Sequence, residues 1–148
     1  MDMKSNDERY LVAPCGINCG QCECHTAKDN PALLEYLVSV GIARDRLPCG
    51  GCREIKGACP VLDVDCETYS CITGRGHAFC YECGDFPCSR LNPAADRAQQ
   101  LPHNTKVFNL CCIQRQGLAK FLERSAEIKL RYFKGKMLVG QGPQLDQA

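Results

Sequence analysis

The chain has 148 residues, a formal net charge of +1, no tryptophan and 14 cysteines. Cysteine at close to one residue in ten narrows the choice to a disulfide scaffold outside the cell or thiolate-held metal inside it. The opening MDMKSNDERYLVAP has no apolar h-region, and no stretch reaches the about 20 apolar residues of a membrane span, so a cytoplasmic, reduced, metal-binding protein with no membrane role is expected.

In chain order, a cysteine-rich part spans 13–90 and a helical part spans 92–135, within a single domain 1–148. The first predicted element is a helix over about 31–40, in DNPALLEYLVSVGI. Asn30 suits the N-cap, Pro31 the first helical position and Gly41 the stop. Leu33, Leu34, Leu37, Val38 and Val40 form its apolar face. Residues 41–90 read as turns and short strands held by cysteine, with HAFCYEC at 77–83 as a hairpin arm. Asn92-Pro93 opens a short helix to Leu101, which Pro102 ends. Another start at Asn104 runs to Gly117. A longer helix follows from Leu118 to about Phe133, with Leu118, Phe121, Leu122, Ser125, Ile128 and Tyr132 on one face. KMLVGQGP suits a short strand. The fold class expected is α+β: a small metal-stapled domain of cysteine-rich turns and short hairpins around inserted helices, followed by a helical C-terminal part.

Charge is uneven along the chain. Residues 1–100 carry 10 Lys/Arg and 14 Asp/Glu, net −4, and residues 101–148 carry 8 and 3, net +5. Thiolates bound to a divalent ion would deepen the negative end. A basic helical end suits nucleic acid or an acidic partner, although its few aromatics make a poor base-stacking platform. A solvated face beside an acidic metal domain is the simpler reading.

The cysteine spacing carries the chemistry. CxxC occurs as Cys19-Cys22, Cys49-Cys52 and Cys80-Cys83, and two thiolates so spaced in a tight turn can grip one ion. A first constellation is Cys15, Cys19, Cys22, Cys49 and Cys52, with the predicted helix filling its long central loop. A second is Cys66, Cys71, Cys80, Cys83 and Cys88, with Phe79, Tyr81 and Phe86 as the shield. Cys24 sits too close to Cys22 in sequence to share its ion easily. Cys59 belongs to neither constellation, and Cys111 and Cys112 read as small buried residues. Cys15-x3-Cys19-x2-Cys22 is also the radical-SAM spacing, but the strand–helix alternation of a partial barrel is missing and Gln21 stands where an aromatic is usual.

Three runs are similar to a cysteine-rich family of bacteria and archaea, domain-of-unknown-function family 3795. They are Cys15-Gly16 with Cys19 and Cys22, Cys49-Gly50-Gly51-Cys52, and Phe79-Cys-Tyr-Glu-Cys-Gly-Asp-Phe-Pro-Cys88, joined by Cys66 and Cys71. The resemblance covers about 13–90. It implies a small metal-binding protein, with zinc the presumed metal, and groups the ten cysteines named above as ligands.

Paired CxxC turns favour about two zinc ions. The surplus thiols, and C-x3-C-x2-C with a distant fourth cysteine, keep a 4Fe-4S electron carrier or redox-enzyme subunit as the alternative. A thiol-based redox or metal-handling role for the spare cysteines is a third possibility. His25, His77 and His103 are isolated, Asp63, Asp65 and Glu67 read as a solvated loop, and no HExxH, P-loop or GxGxxG is present. The expectation is a non-enzymatic accessory or adaptor module with a protein partner.

Overall fold

The computed structural model describes residues 3–4, 7–91 and 100–146. Five helices lie in this part: α1 (Glu23–Thr26), α2 (Pro31–Ser39), α3 (Glu67–Gly74), α4 (Lys106–Gln116) and α5 (Leu118–Lys134). The two strands, β1 (Lys136–Leu138) and β2 (Gly142–Gln144), pair antiparallel with Met137 opposite Pro143. The protein is thus mixed α+β and rich in helix. No membrane-length apolar helix occurs among the described residues.

α2 forms as its sequence signals require. The Asn30 side chain accepts from the Leu33 N–H at 3.1 Å, Pro31 occupies the first turn, and Gly41 takes φ +107°. Leu37 is buried, whereas Val40 lies beyond the last helical residue and is exposed.

α4 and α5 meet at Gly117, which takes φ +90°. Their inner faces bury Leu110, Ile113, Phe121, Ser125 and Ile128. Val12, Ile72, Phe79 and Leu91 complete this main core. α5 also clasps the N-terminal turns. Ser125 Oγ accepts from Asn18 Nδ2 at 2.9 Å, and Lys129 Nζ pairs with Glu23 at 2.7 Å. A satellite core of Cys24, Ala27 and Leu37 sits under α1 and α2.

The hairpin expectation fails in the cysteine-rich part. HAFCYEC forms a 3-10 turn at Cys80–Glu82, closed because the Glu82 carboxylate accepts from the Phe79 N–H at 2.5 Å. Its alternation reflects Phe79 stacked on Tyr81, with centroids 5.7 Å apart, and not strand pairing. Among the described residues the hairpin is C-terminal. The 41–90 segment also holds α3, a helix whose Thr, Ser and Cys content gives weak propensity. The expected helix from Asn92 falls on 92–99, outside the described residues.

Candidate metal centre

All 14 cysteines are free of disulfides. Among the described residues, no three Cys, His, Asp or Glu side chains stand close enough together, as placed, to hold an ion. A tetrahedral zinc needs thiolates about 2.3 Å from the metal, so filling any group requires rotation about Cα–Cβ, which staggered wells permit. The backbone nonetheless sorts the thiols into neighbourhoods that differ from the sequence grouping.

The first neighbourhood contains Cys15, Cys19, Cys52 and Cys66. Cys15 rides a tight turn in which Ala13 N–H donates to Ile17 O at 2.8 Å. Gly16, at φ +91°, is required there, because a Cβ would lie 2.9 Å from Lys106 O. The Ile17 N–H donates to Cys15 Sγ, and the Cys52 N–H donates to Cys19 Sγ. Burial pushes the Cys15 thiol up and the Cys19 thiol well up, with like-charge pressure on Cys15 from Cys66 and on Cys19 from Cys52, Cys15 and Cys22. Burial raises Cys52 to about 12, with Cys15 and Cys66 adding to it. Cys66 is fixed at the start of α3 by its N–H donating to Gly57 O at 3.0 Å.

The second contains Cys71, Cys80, Cys83 and Cys88. Cys71 is carried by α3 and the others by the Cys80–Glu82 turn and the chain after it. All four line a cavity of about 140 Å³, with Ile72 and Phe86 as apolar wall. Arg75 Nη1 donates to Cys83 Sγ at 3.0 Å and to Asp85 Oδ2 at 2.7 Å, and the Asp85 N–H points at Cys83 Sγ at 3.5 Å. Burial pushes Cys80 up to about 12, with the thiols of Cys15, Cys88, Cys71 and Cys83 acting on it. The Cys80 N–H donates to Pro14 O at 2.9 Å, which joins this turn to the first neighbourhood.

Cys22 and Cys49 lie at the edge of the first neighbourhood, with Cys22 near enough to press on Cys19. They pack on the satellite core beside Cys24, and like-charge pressure links Cys59 to the same set. The reason is visible at Gly51, whose φ of +100° turns the chain. Its N–H faces Cys49 Sγ at 3.4 Å, while the next N–H, from Cys52, faces Cys19 Sγ. Successive amides thus face Cys49 and Cys19, and the two groups adjoin, with Cys22 acting on Cys19 and Cys59 on Cys52.

Arg53 bolts the region together. Its Nε donates to Val12 O at 2.9 Å, its Nη2 donates to Ala78 O at 2.8 Å, and its guanidinium lies 4.8 Å from the Phe79 ring centroid. His25 Nδ1 meets Cys49 O at 2.7 Å and its Nε2 faces Lys28 Nζ, so the ring is taken up by non-metal partners. Asp63 and Asp65 are exposed, and Glu67 pairs with Arg90 at 3.1 Å.

A family model described as protein of unknown function (DUF3795) matches residues 11–93. The chain belongs to the DUF3795 family. The matched segment holds twelve of the fourteen cysteines. α4, α5 and the hairpin lie outside it, yet α4 closes on the DUF3795 part through Asn109 Nδ2, which donates to Gly16 O at 2.9 Å. No curated protein and no solved structure matches the chain.

Proposed function

We propose that this protein is a cytoplasmic, cysteine-rich metal-binding module. Two zinc ions held by thiolates stabilise its fold, and its role is that of a non-enzymatic accessory or adaptor to a protein partner. The two ligand sets are Cys15, Cys19, Cys52 and Cys66, and Cys71, Cys80, Cys83 and Cys88. The observation that carries the reading is the aim of backbone N–H groups at sulfur, from Ile17 to Cys15, Cys52 to Cys19 and Asp85 to Cys83. Such donors favour the thiolate over the thiol, and burial without metal would do the reverse. Arg75 beside Cys83 offsets part of the negative charge that four thiolates leave on a divalent ion.

A second reading, 4Fe-4S clusters in an electron carrier or redox subunit, is favoured by one observation. The CxxC pairs Cys19-Cys22 and Cys49-Cys52 are shared between adjoining neighbourhoods. Two-cluster ferredoxins also divide a cysteine run between centres, whereas zinc turns usually keep the pair on one ion.

Part of the basic end is spent on contacts within the chain, which weakens the nucleic-acid role. Lys129 is committed to Glu23, Arg131 Nε to Pro143 O at 2.8 Å, and Lys136 to Asp146 at 3.3 Å. Elemental analysis and the visible spectrum of protein purified without oxygen test the function. About two or more zinc per chain and no visible absorbance supports the structural module. Iron with matching sulfide transfers the conclusion to the cluster reading, and metal-free folded protein refutes both. Salt-dependent RNA or DNA binding would revive the nucleic-acid role.

A further inference from the structure

Two cysteines outside both proposed sets, Cys24 and Cys59, lie beside two that the regrouping leaves over, Cys22 and Cys49. We propose that Cys22, Cys24, Cys49 and Cys59 form an additional thiolate centre under α1 and α2, taking a thiophilic divalent ion such as zinc. This rests on the metal-binding reading above and extends it from two centres to three.

The site is built by three separate pieces of chain. Cys22 and Cys24 bracket the start of α1, and Cys24 is 4% exposed at the heart of the satellite core. The Cys49 N–H donates to Cys24 O at 2.8 Å, which sews the second piece against the first. The third piece carries Cys59. Arg46 holds it from outside, donating to the carbonyls of Ala58 at 3.0 Å, Cys59 at 2.8 Å and Leu62 at 3.3 Å. Val61, two residues beyond Cys59, packs on the same core as Cys22 and Cys49. A guanidinium spent on three carbonyls of one turn fixes that turn and places a positive charge at the edge of the cluster.

The sulfurs are also served as thiolates would be. Backbone N–H groups of Cys24 and His25 donate to Cys22 Sγ, that of Gly51 to Cys49 Sγ, and that of Val61 to Cys59 Sγ. The Cys24 thiol hydrogen-bonds Cys22, so the start of α1 brings together two sulfurs whose C-x-C spacing reads as too short to share an ion. Once a cation lies beside Cys24, the proton it shares with Cys22 is displaced to solvent and both sulfurs become ligands. No imidazole competes, since both ring nitrogens of His25 face other partners.

The test counts zinc on the intact chain. Full-length protein is loaded with zinc under reductant and examined by native mass spectrometry, beside Cys24→Ala, Cys59→Ala and Cys111→Ser. The expected result is about three zinc on the parent chain and on Cys111→Ser, four thiolates to each ion, and about two on Cys24→Ala and on Cys59→Ala. Alkylation mapping of the zinc-loaded parent guards against a variant that fails to fold: Cys22, Cys24, Cys49 and Cys59 should be protected together and released together by chelator. Two zinc on the parent with Cys24 and Cys59 freely alkylated overturns this centre and leaves the two-site reading standing. An isolated Cys22–Cys24 or Cys49–Cys59 disulfide in the zinc-loaded parent does the same. No zinc at all refutes the broader reading with it.

Discussion

Arg53→Met is the most informative single change away from the cysteines. Methionine keeps an apolar stem against Phe79 but can donate to neither carbonyl. The structure assigns Arg53 two hydrogen bonds, to Val12 O and Ala78 O, and a ring contact at 4.8 Å. Charge-assisted hydrogen bonds contribute about 1.5–3 kcal/mol each and the cation–π contact about 0.5–2 kcal/mol. Against this stands the cost of burying the guanidinium, which holds the Arg53 pKa below its ordinary value. A net loss of about 3 kcal/mol results, equivalent to about 6–12 °C in Tm for a protein of this size. Thermal unfolding of the metal-loaded protein, followed by circular dichroism, measures it. Because Arg53 joins the Cys15 turn to the Cys80 turn, the variant should also release metal to chelator faster. A Tm within about 2 °C of the parent would refute the assignment of Arg53 as a bolt between the two turns.

Other expectations follow from the same contacts. Phe121→Ala removes a 1% exposed ring from the main core and should cost about 3–5 kcal/mol, read as a lower midpoint in urea. Arg75→Gln removes the cation beside Cys83; because Arg75 is half exposed the effect is modest, about a two- to threefold faster loss of one metal equivalent to chelator. Stripping all metal should unfold residues 13–90, since structural zinc supplies about 10–16 kcal/mol of folding free energy; an unchanged circular dichroism spectrum after verified removal would contradict this.

Local signals in the sequence are enough for α2, α4 and α5. Asn30, Pro31 and Gly41 bound α2, and the spacing of Phe121, Ser125 and Ile128 gives the buried face of α5, because caps and periodicity are properties of neighbouring residues. α3 carries no such signal, because its eight residues offer little apolar periodicity and poor helix formers. The alternation in HAFCYEC mimics a strand because an aromatic stack and a closed turn produce the same pattern. The thiol neighbourhoods were legible only in part. Cys71, Cys80, Cys83 and Cys88 come together much as their spacing suggests. The division of Cys19 from Cys22 and of Cys49 from Cys52 depends on the positive φ of Gly51 and on which sulfur each amide meets, and spacing encodes neither.

The order of the cysteines along the chain sets when each group can close during synthesis. On the proposed ligand sets, Cys15 and Cys19 have no complete set of neighbours until Cys66 has left the ribosome, and Cys22 none until Cys59 has. At about 5–20 residues per second those thiols wait for several seconds, open to whichever thiophilic ion or oxidant reaches them first. The Cys71–Cys88 set, drawn from one short stretch, closes almost as it emerges. On the proposed ligand sets, the nascent N-terminal half would need a reducing surrounding and a ready supply of metal while translation is still under way.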